Sequence, residues 1–325
     1  MKKLFVVLVA AVLIAGCTGQ GLDWNKGGGG TIEPADVMVA SNLATIPASP
    51  AAGSDFTARF TVTNQHKTNK AENVGVWIYD VGKCKLNKVG GLTAVKVGNI
   101  WPGLMIETGT GTVNTIAFAP GQQEQIRLDM TAPKSADIAG LSYTCPVKYM
   151  LNYTFTAKSS MTVDVMASSR LMQIETQTGS RPVYTRTLNV GAGPIRIMME
   201  PTSTMPIEAG GKLSYTVTLK DEGTGDYASV LPGKLAMKLG KEFVPVLDAN
   251  GKACGGYFDV GGETENVVSY TNFRKIDLIQ KIANPITCEF NVPTGVTVEQ
   301  EYAITAELPY SYGYFGQELD VPVTP

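Results

Sequence analysis

The chain has 325 residues, a length that suggests about two domains at roughly 150 residues each. Only 17% of its residues are charged, Thr, Val, Gly and Pro are plentiful, and long helix-forming runs are missing, so an all-β chain is expected. The net charge is −2, with no basic cluster and no stripe of mixed aromatic and basic side chains; this excludes nucleic acid as a partner, because phosphate binding needs dense positive charge.

The N-terminus carries the most specific local signal. Lys2 and Lys3 precede an apolar run from Leu4 to Leu13, well short of the roughly 20 residues a spanning helix requires. Residues 1–16 therefore read as a signal peptide. Ile14-Ala15-Gly16-Cys17 resembles the lipobox of secreted lipoproteins, which implies that Cys17 becomes a lipidated N-terminus and that the membrane is a partner through this anchor. The alternative is an ordinary signal peptide cleaved nearby, with Cys17 incidental. Residues 17–34, with glycine at every position from 27 to 30, read as a flexible tether. The bulk of the chain is expected on the extracellular face of the cell membrane.

After the tether, one stretch is written twice. Gly53 leads into Phe56, Ala58, Phe60 and Val62 at alternate positions, and Gly210 leads into Leu213, Tyr215, Val217 and Leu219. Alternation of this length marks half-buried strands. The offset, 210 − 53 = 157, also carries Leu151, Tyr153 and Phe155 onto Leu308, Tyr310 and Tyr312. Two similar β-domains in tandem follow, at 35–167 and 193–325.

In chain order, the first half begins with Val37-Met38-Val39-Ala40, turns at Pro47 and Pro50, and enters the strand at Phe56. A polar loop carrying His66, the only histidine, leads to a strand with Val74, Val76 and Ile78 alternating. Pro50, Gly53, Phe56 and Thr61-Val62-Thr63-Asn64, followed by Ala71, Asn73-Val74, Val76 and Ile78-Tyr79-Asp80, resemble the CARDB-type immunoglobulin-like domains of adhesion and S-layer-associated surface proteins. Phe118 to Gln123, then Ile126, Leu128 and Met130, are similar to later strands of that family. The resemblance covers most of 35–167 and implies an immunoglobulin-like β-sandwich at a cell surface. Residues 90–117 interrupt the pattern as a long loop or inserted hairpin; there Trp101, Leu104, Met105 and Ile106 either cover an open end of the sandwich or form an exposed apolar contact. Tyr143 to Phe155 alternates, and Met161, Val163 and Val165 are expected to complete a hairpin with it.

Residues 168–192 form a linker with a short helix expected near Ser169–Thr176 and several apolar side chains, among them Leu171, Met172, Ile174, Val183 and Leu188. The second half, from Gly193, resembles the second immunoglobulin-like unit of archaeal secreted proteins. The run from Phe273 to Ile282 reads as a short helix or an irregular strand. Near the end Tyr302, Tyr310, Tyr312 and Tyr314 share a parity. They either pack in the sandwich core or form a stacking platform for sugars, and Pro309 and Gly313 suggest a bulge or kink among them.

Apart from Cys17, four cysteines divide evenly, Cys84 and Cys145 in one half and Cys254 and Cys288 in the other, which in an exported chain reads as one disulfide each. The chain lacks the usual equipment of catalysis. His66 lies beside Lys67 and is expected to be solvated, and no nucleophile, metalloprotease or phosphate-loop motif has its required context. Asp248, Asn250 and Asp259 place oxygens near a turn without the ordered spacing of a calcium loop. No catalytic, cofactor or metal residues are assigned. Asn152-Tyr153-Thr154 is the one N-glycosylation acceptor pattern, inside a predicted strand. The expected function is a non-enzymatic surface lipoprotein with a structural or adhesive role, its further partners being envelope or surface proteins or glycans. The alternative is an extracellular glycan- or solute-binding lipoprotein that uses its sandwich loops.

Overall fold

The computed structural model describes residues 35–325 apart from 91, 95–100, 103–105, 109–111, 115, 185–187 and 317. The expected signal peptide, Cys17 and the expected tether lie outside the described residues. Glu33–Pro325 form one compact unit.

The chain is all-β, built of antiparallel sheets packed as sandwiches. In the first half, β1 (Met38–Ile46), β2 (Asp55–Asn64), β3 (Ala71–Asp80), β4 (Lys85–Val89), β5 (Gln123–Thr131) and β6 (Tyr143–Met166) follow one another. One sheet runs β1-β2-β5-β4, and the other places β6 beside β3. Phe56, Ala58, Phe60 and Val62 of β2 are buried, as their alternation requires. Phe60 stacks on Tyr149 of β6 with ring centroids 4.8 Å apart, which joins the two sheets across the core. Each large side chain buried in this way contributes about 1.5–3 kcal/mol.

The second half uses β7 (Ile195–Pro201), β8 (Lys212–Asp221), β9 (Ala236–Gly240), β10 (Phe258–Glu263), β11 (Val267–Asn272), β12 (Ile286–Asn291), β13 (Glu299–Phe315) and β14 (Leu319–Val323). Here β7-β8-β12 faces β10-β11-β9-β13, and Phe290 of β12 meets Tyr270 of β11 edge-on at 5.4 Å.

β6 and β13 belong to both halves. They pair antiparallel from Met150 opposite Phe315 to Met166 opposite Glu299 without a register shift. β14 then pairs with Tyr143–Val147 of β6. The first half therefore reads β1-β2-β5-β4 against β3-β6-β14, the strand arrangement of an immunoglobulin constant domain, with its last strand supplied by residues 319–323. In return, the later part of β6 lies beside β13 in the second half. The repeat places this exchange on a local twofold. The offset that carries Asp55–Asn64 onto Lys212–Asp221 also separates the cross-strand pair Thr154 and Ser311, since 311 − 154 = 157. About that pair, the partners Leu151 and Tyr314 map onto Leu308 and Ala157, which are partners themselves.

Two expectations are corrected, and a third reading with two alternatives is decided. β6 is one strand of 24 residues, not a hairpin, because Phe155 to Ser160 holds no Gly, Pro, Asn or Asp to turn it; its odd-numbered side chains are buried from Cys145 to Val165. Of the two readings of Phe273 to Ile282, strand is the one found: residues 276–283 form a tight hairpin, with Gln280 and Lys281 at φ 51° and 69° between the paired Ile279 and Ile282. β13 does not bulge at Pro309 or Gly313. Among the described residues β9 reaches only Glu307, so no strand on that side needs the N–H that Pro309 lacks.

The linker contains α1 (Ser168–Thr178), closed by Gly179 at φ 75° with its N–H on the Glu175 carbonyl. Leu171 is buried, whereas Met172 and Val183 are exposed. Leu188–Val190 pairs with Ser159–Met161 of β6. In the 90–117 segment the backbone of Trp101–Pro102 pairs with Ile78 and Trp77 of β3; the side chains of Trp101, Leu104, Met105 and Ile106 lie outside what is described. Among the described residues no helix is long and apolar enough to cross a membrane.

Candidate functional site

Where the two halves exchange strands, the surface is hollowed into a groove of about 1040 Å³. Its lining includes Thr154, Thr156 and Lys158 of β6 and Pro309 and Ser311 of β13. The loop after β2 contributes Thr68 to Lys70, and the loop after β8 contributes Tyr227, Ser229 and Lys234. The chemistry is hydroxyl, amide, ammonium and carboxylate, with three aromatic residues, Phe155, Tyr227 and Tyr310, and Tyr227 meets buried Tyr310 edge-on at 5.6 Å. Lys158 is paired with Glu307 and Lys70 with Glu72.

Two buried polar side chains anchor the flanking loops, and the repeat relates them. Asn64 ends β2 and is fully buried. Its Oδ1 accepts the His66 N–H at 3.0 Å, and its Nδ2 donates to the carbonyls of Asn69, Phe118 and Ala119. Asp221, at 64 + 157, ends β8. Its carboxylate accepts the N–H groups of Gly223 and Tyr227 and the Tyr312 hydroxyl at 3.0–3.2 Å, with Lys281 Nζ 3.9 Å away. Burial pushes the Asp221 carboxyl above its ordinary range, against the pull of these donors. Lys281 donates to the carbonyls of Gly223 and Gly225, so the loop is tied from both sides.

The outer face of the first half carries ordered cross-strand rows. Trp77, Met150 and Phe315 lie opposite one another on β3, β6 and β13; the next row is Gly75, Asn152 and Gly313. The Trp77 indole N–H donates to Asn152 Oδ1 at 2.8 Å. Phe315 is 70% exposed and meets the Tyr79 ring edge-on at 5.5 Å.

Other residues singled out in the sequence fall as follows. Cys84 is bonded to Cys145 and Cys254 to Cys288. His66 is not solvated: it is buried, its Nδ1 accepts the N–H groups of Thr68 and Asn69, and its ring packs on Phe155. A polar loop wrapped around one imidazole acceptor needs that ring inside. Asp248 accepts the N–H groups of Asn250 and Lys252, which hold its carboxyl below the ordinary range, and Lys252 Nζ bonds Asp259, so a lysine stands among these oxygens. Among the described residues no group of three or more His, Cys, Asp or Glu side chains is placed to hold a metal ion. Tyr310 and Tyr312 are buried in the core, and the Tyr314 hydroxyl donates to the Met38 carbonyl at 2.7 Å. Sequence reasoning missed Asn64 and Asp221, although the repeat placed both at the end of the duplicated stretch. It also missed the Trp77–Asn152 pair, which only strand register reveals.

No protein-family model matches the chain, and no curated protein matches it. Among solved structures, the chain is similar at 13% identity to the C-terminal globular domain of an oligosaccharyltransferase from Pyrococcus abyssi. That likeness covers 87% of this chain and 49% of the other, with a TM-score of 0.25, so the chain spans about half the length of that structure. It is similar at 10% identity to the collagen adhesin of S. aureus over 89% of this chain and 93% of the other, with a TM-score of 0.11. At such scores neither likeness bears on fold or function.

Proposed function

We propose that this chain is a non-enzymatic, lipid-anchored cell-surface protein whose two immunoglobulin-like halves form one stiff projection with a structural or adhesive role. The observation that carries the reading is the unbroken pairing of β6 with β13 through both halves. A hinge between them would have to break that ladder. Two intrachain disulfides belong to a non-reducing, extracellular setting. The lipobox-like Ile14-Ala15-Gly16-Cys17 and the CARDB-type resemblance of residues 35–167 support anchoring and surface display.

Fractionation of producing cells tests the anchor. The Cys17→Ser protein is expected in the medium and the parent protein in the membrane fraction; equal membrane retention of both overturns lipid anchoring. Limited proteolysis tests the stiffness. Cleavage is expected between Thr18 and Glu33, and rapid cutting between Ser168 and Gly193 into two stable halves defeats the single-projection reading.

A further inference from the structure

We propose that the outer face of the first half is a glycan-binding surface, on which a hexopyranose ring stacks against Trp77 and is hydrogen-bonded by Asn152. The inference rests on the surface-protein reading above and names the class of molecule that such a protein holds.

The argument starts from the rows. Trp77, Met150 and Phe315 form an apolar row, with the Tyr79 ring set edge-on against Phe315. On one side of it Lys148 sits 3.7 Å from Asp80 and 3.6 Å from Glu318. On the other side come Gly75, Asn152 and Gly313, then Thr154 and Ser311, where Asn73 Nδ2 donates to Thr154 Oγ1 at 3.0 Å. An apolar strip between polar rows suits an amphipathic ring, one with a C–H face and a rim of hydroxyls. A protein partner covers about 800 Å² per side, and the apolar strip among the described residues is narrower than that.

Trp77 is held for the task. Its indole N–H is only a donor, so Asn152 must turn Oδ1 toward it. The Asn152 Nδ2 then has no partner among the described residues and faces the surface as a donor beside the ring. A Cβ at Gly75 would come 2.9 Å from the indole nitrogen and would collide with the Asn152 amide. Glycine at this position lets the indole lie along the strand, and a ring fixed before binding loses less entropy when a ligand stacks on it. Gly313 leaves the far side of Asn152 open, and exposed Phe315 borders the strip.

The surface also has length. Rows on one face are two residues apart, so the path from Met150 to Thr154 covers about 13 Å. Thr154 and Ser311 also line the groove, which continues toward Lys158 and Lys234. The arrangement fits a chain of linked sugars rather than a single one.

The test titrates the full chain in detergent with soluble hexaoses of glucose, N-acetylglucosamine and mannose, followed by calorimetry and indole fluorescence. At least one is expected to bind. Trp77→Ala should weaken it roughly tenfold or more, and Phe315→Ser a few-fold, the scale of one lost aromatic contact. Phe315 is exposed enough that its variant keeps the fold, which near-ultraviolet circular dichroism verifies. Ile279→Ser, at an exposed site in the second half, should change nothing. No binding to any of the three hexaoses overturns the proposal, and so does binding that both variants leave unchanged. A dimer that Phe315→Ser abolishes, with no response to sugar, overturns it in favour of self-association. Because fractionation of the Cys17→Ser protein reads anchoring alone, a failed titration with anchoring intact removes this inference and leaves the surface-protein reading standing.

Discussion

Asn64 and Asp221 occupy the same position in the two halves and solve the same problem with different chemistry. Each ends the duplicated strand, is buried, and accepts the N–H two residues ahead, from His66 or Gly223. Asn64 is neutral and spends its amide on three carbonyls, whereas Asp221 has no hydrogen to donate and collects donors from its own loop, from Tyr312 and from the neighbourhood of Lys281. A neutral amide closes its corner alone. A buried carboxylate needs its surroundings arranged around it, which binds the second corner to β13 through Tyr312 and so to the strand that both halves share.

That contrast can be broken most strongly at Asp221. Asp221→Ala strands two N–H groups and a buried hydroxyl, and is expected to cost about 3–5 kcal/mol. Urea unfolding measures it, and a loss below that of the alanine variant of Asn64 would reverse the ranking of the two corners. The disulfides come next. Removing Cys84–Cys145 opens a loop of 61 residues and Cys254–Cys288 one of 34. Chain entropy puts the costs at about 4.3 and 3.8 kcal/mol. Paired Cys→Ser variants compare them, and a larger loss in the second half would show that strain or unfolded-state structure outweighs loop length. Asn64→Ala, which takes the partner of the His66 N–H and one hydrogen bond from each of three carbonyls, should cost about 2–3 kcal/mol.

The smallest effect sharpens the comparison through pH. Burial raises the Asp221 carboxyl above its ordinary value of 3.8, so the folded protein holds this proton more tightly than the unfolded chain does. Stability from this group is therefore fully present below pH 3.8 and is lost as pH rises through the folded value. Asn64 contributes no such slope. The stability of the parent protein relative to Asp221→Asn should fall as pH rises across that window. A constant or widening difference in urea midpoints would mean that the donors, not burial, set the carboxyl's affinity for its proton.

Local pattern carried much of the fold. Alternation at Phe56–Val62 and Leu213–Leu219 located both central strands, and the even division of cysteines between the halves fits the two bonds observed. What escaped was long-range. The repeat carries Leu151, Tyr153 and Phe155 onto Leu308, Tyr310 and Tyr312, but nothing in either stretch says that the two strands lie against each other, because pairing is decided by the whole sheet and not by neighbours in sequence. His66 read as solvated because polar neighbours surround it, while its burial depends on Phe155, far along the chain. The outer-face row was equally hidden. Trp77, Met150 and Phe315 acquire a common meaning only when three strands are set in register.

The placement of β14 has a consequence for how the protein is made. The first half has β1 to β6 in place early, yet its sheet is closed by Leu319–Val323, more than 150 residues after the Val147 end of the segment they cover. Until those residues emerge, Tyr143–Val147 presents a bare strand edge, which a nascent chain must keep from stray partners. Once they arrive, the first half is sealed by a strand that follows the whole of the second half. A chain interrupted before Leu319 keeps this edge open, and pairing at Tyr143–Val147 therefore waits until the whole of the second half has been made.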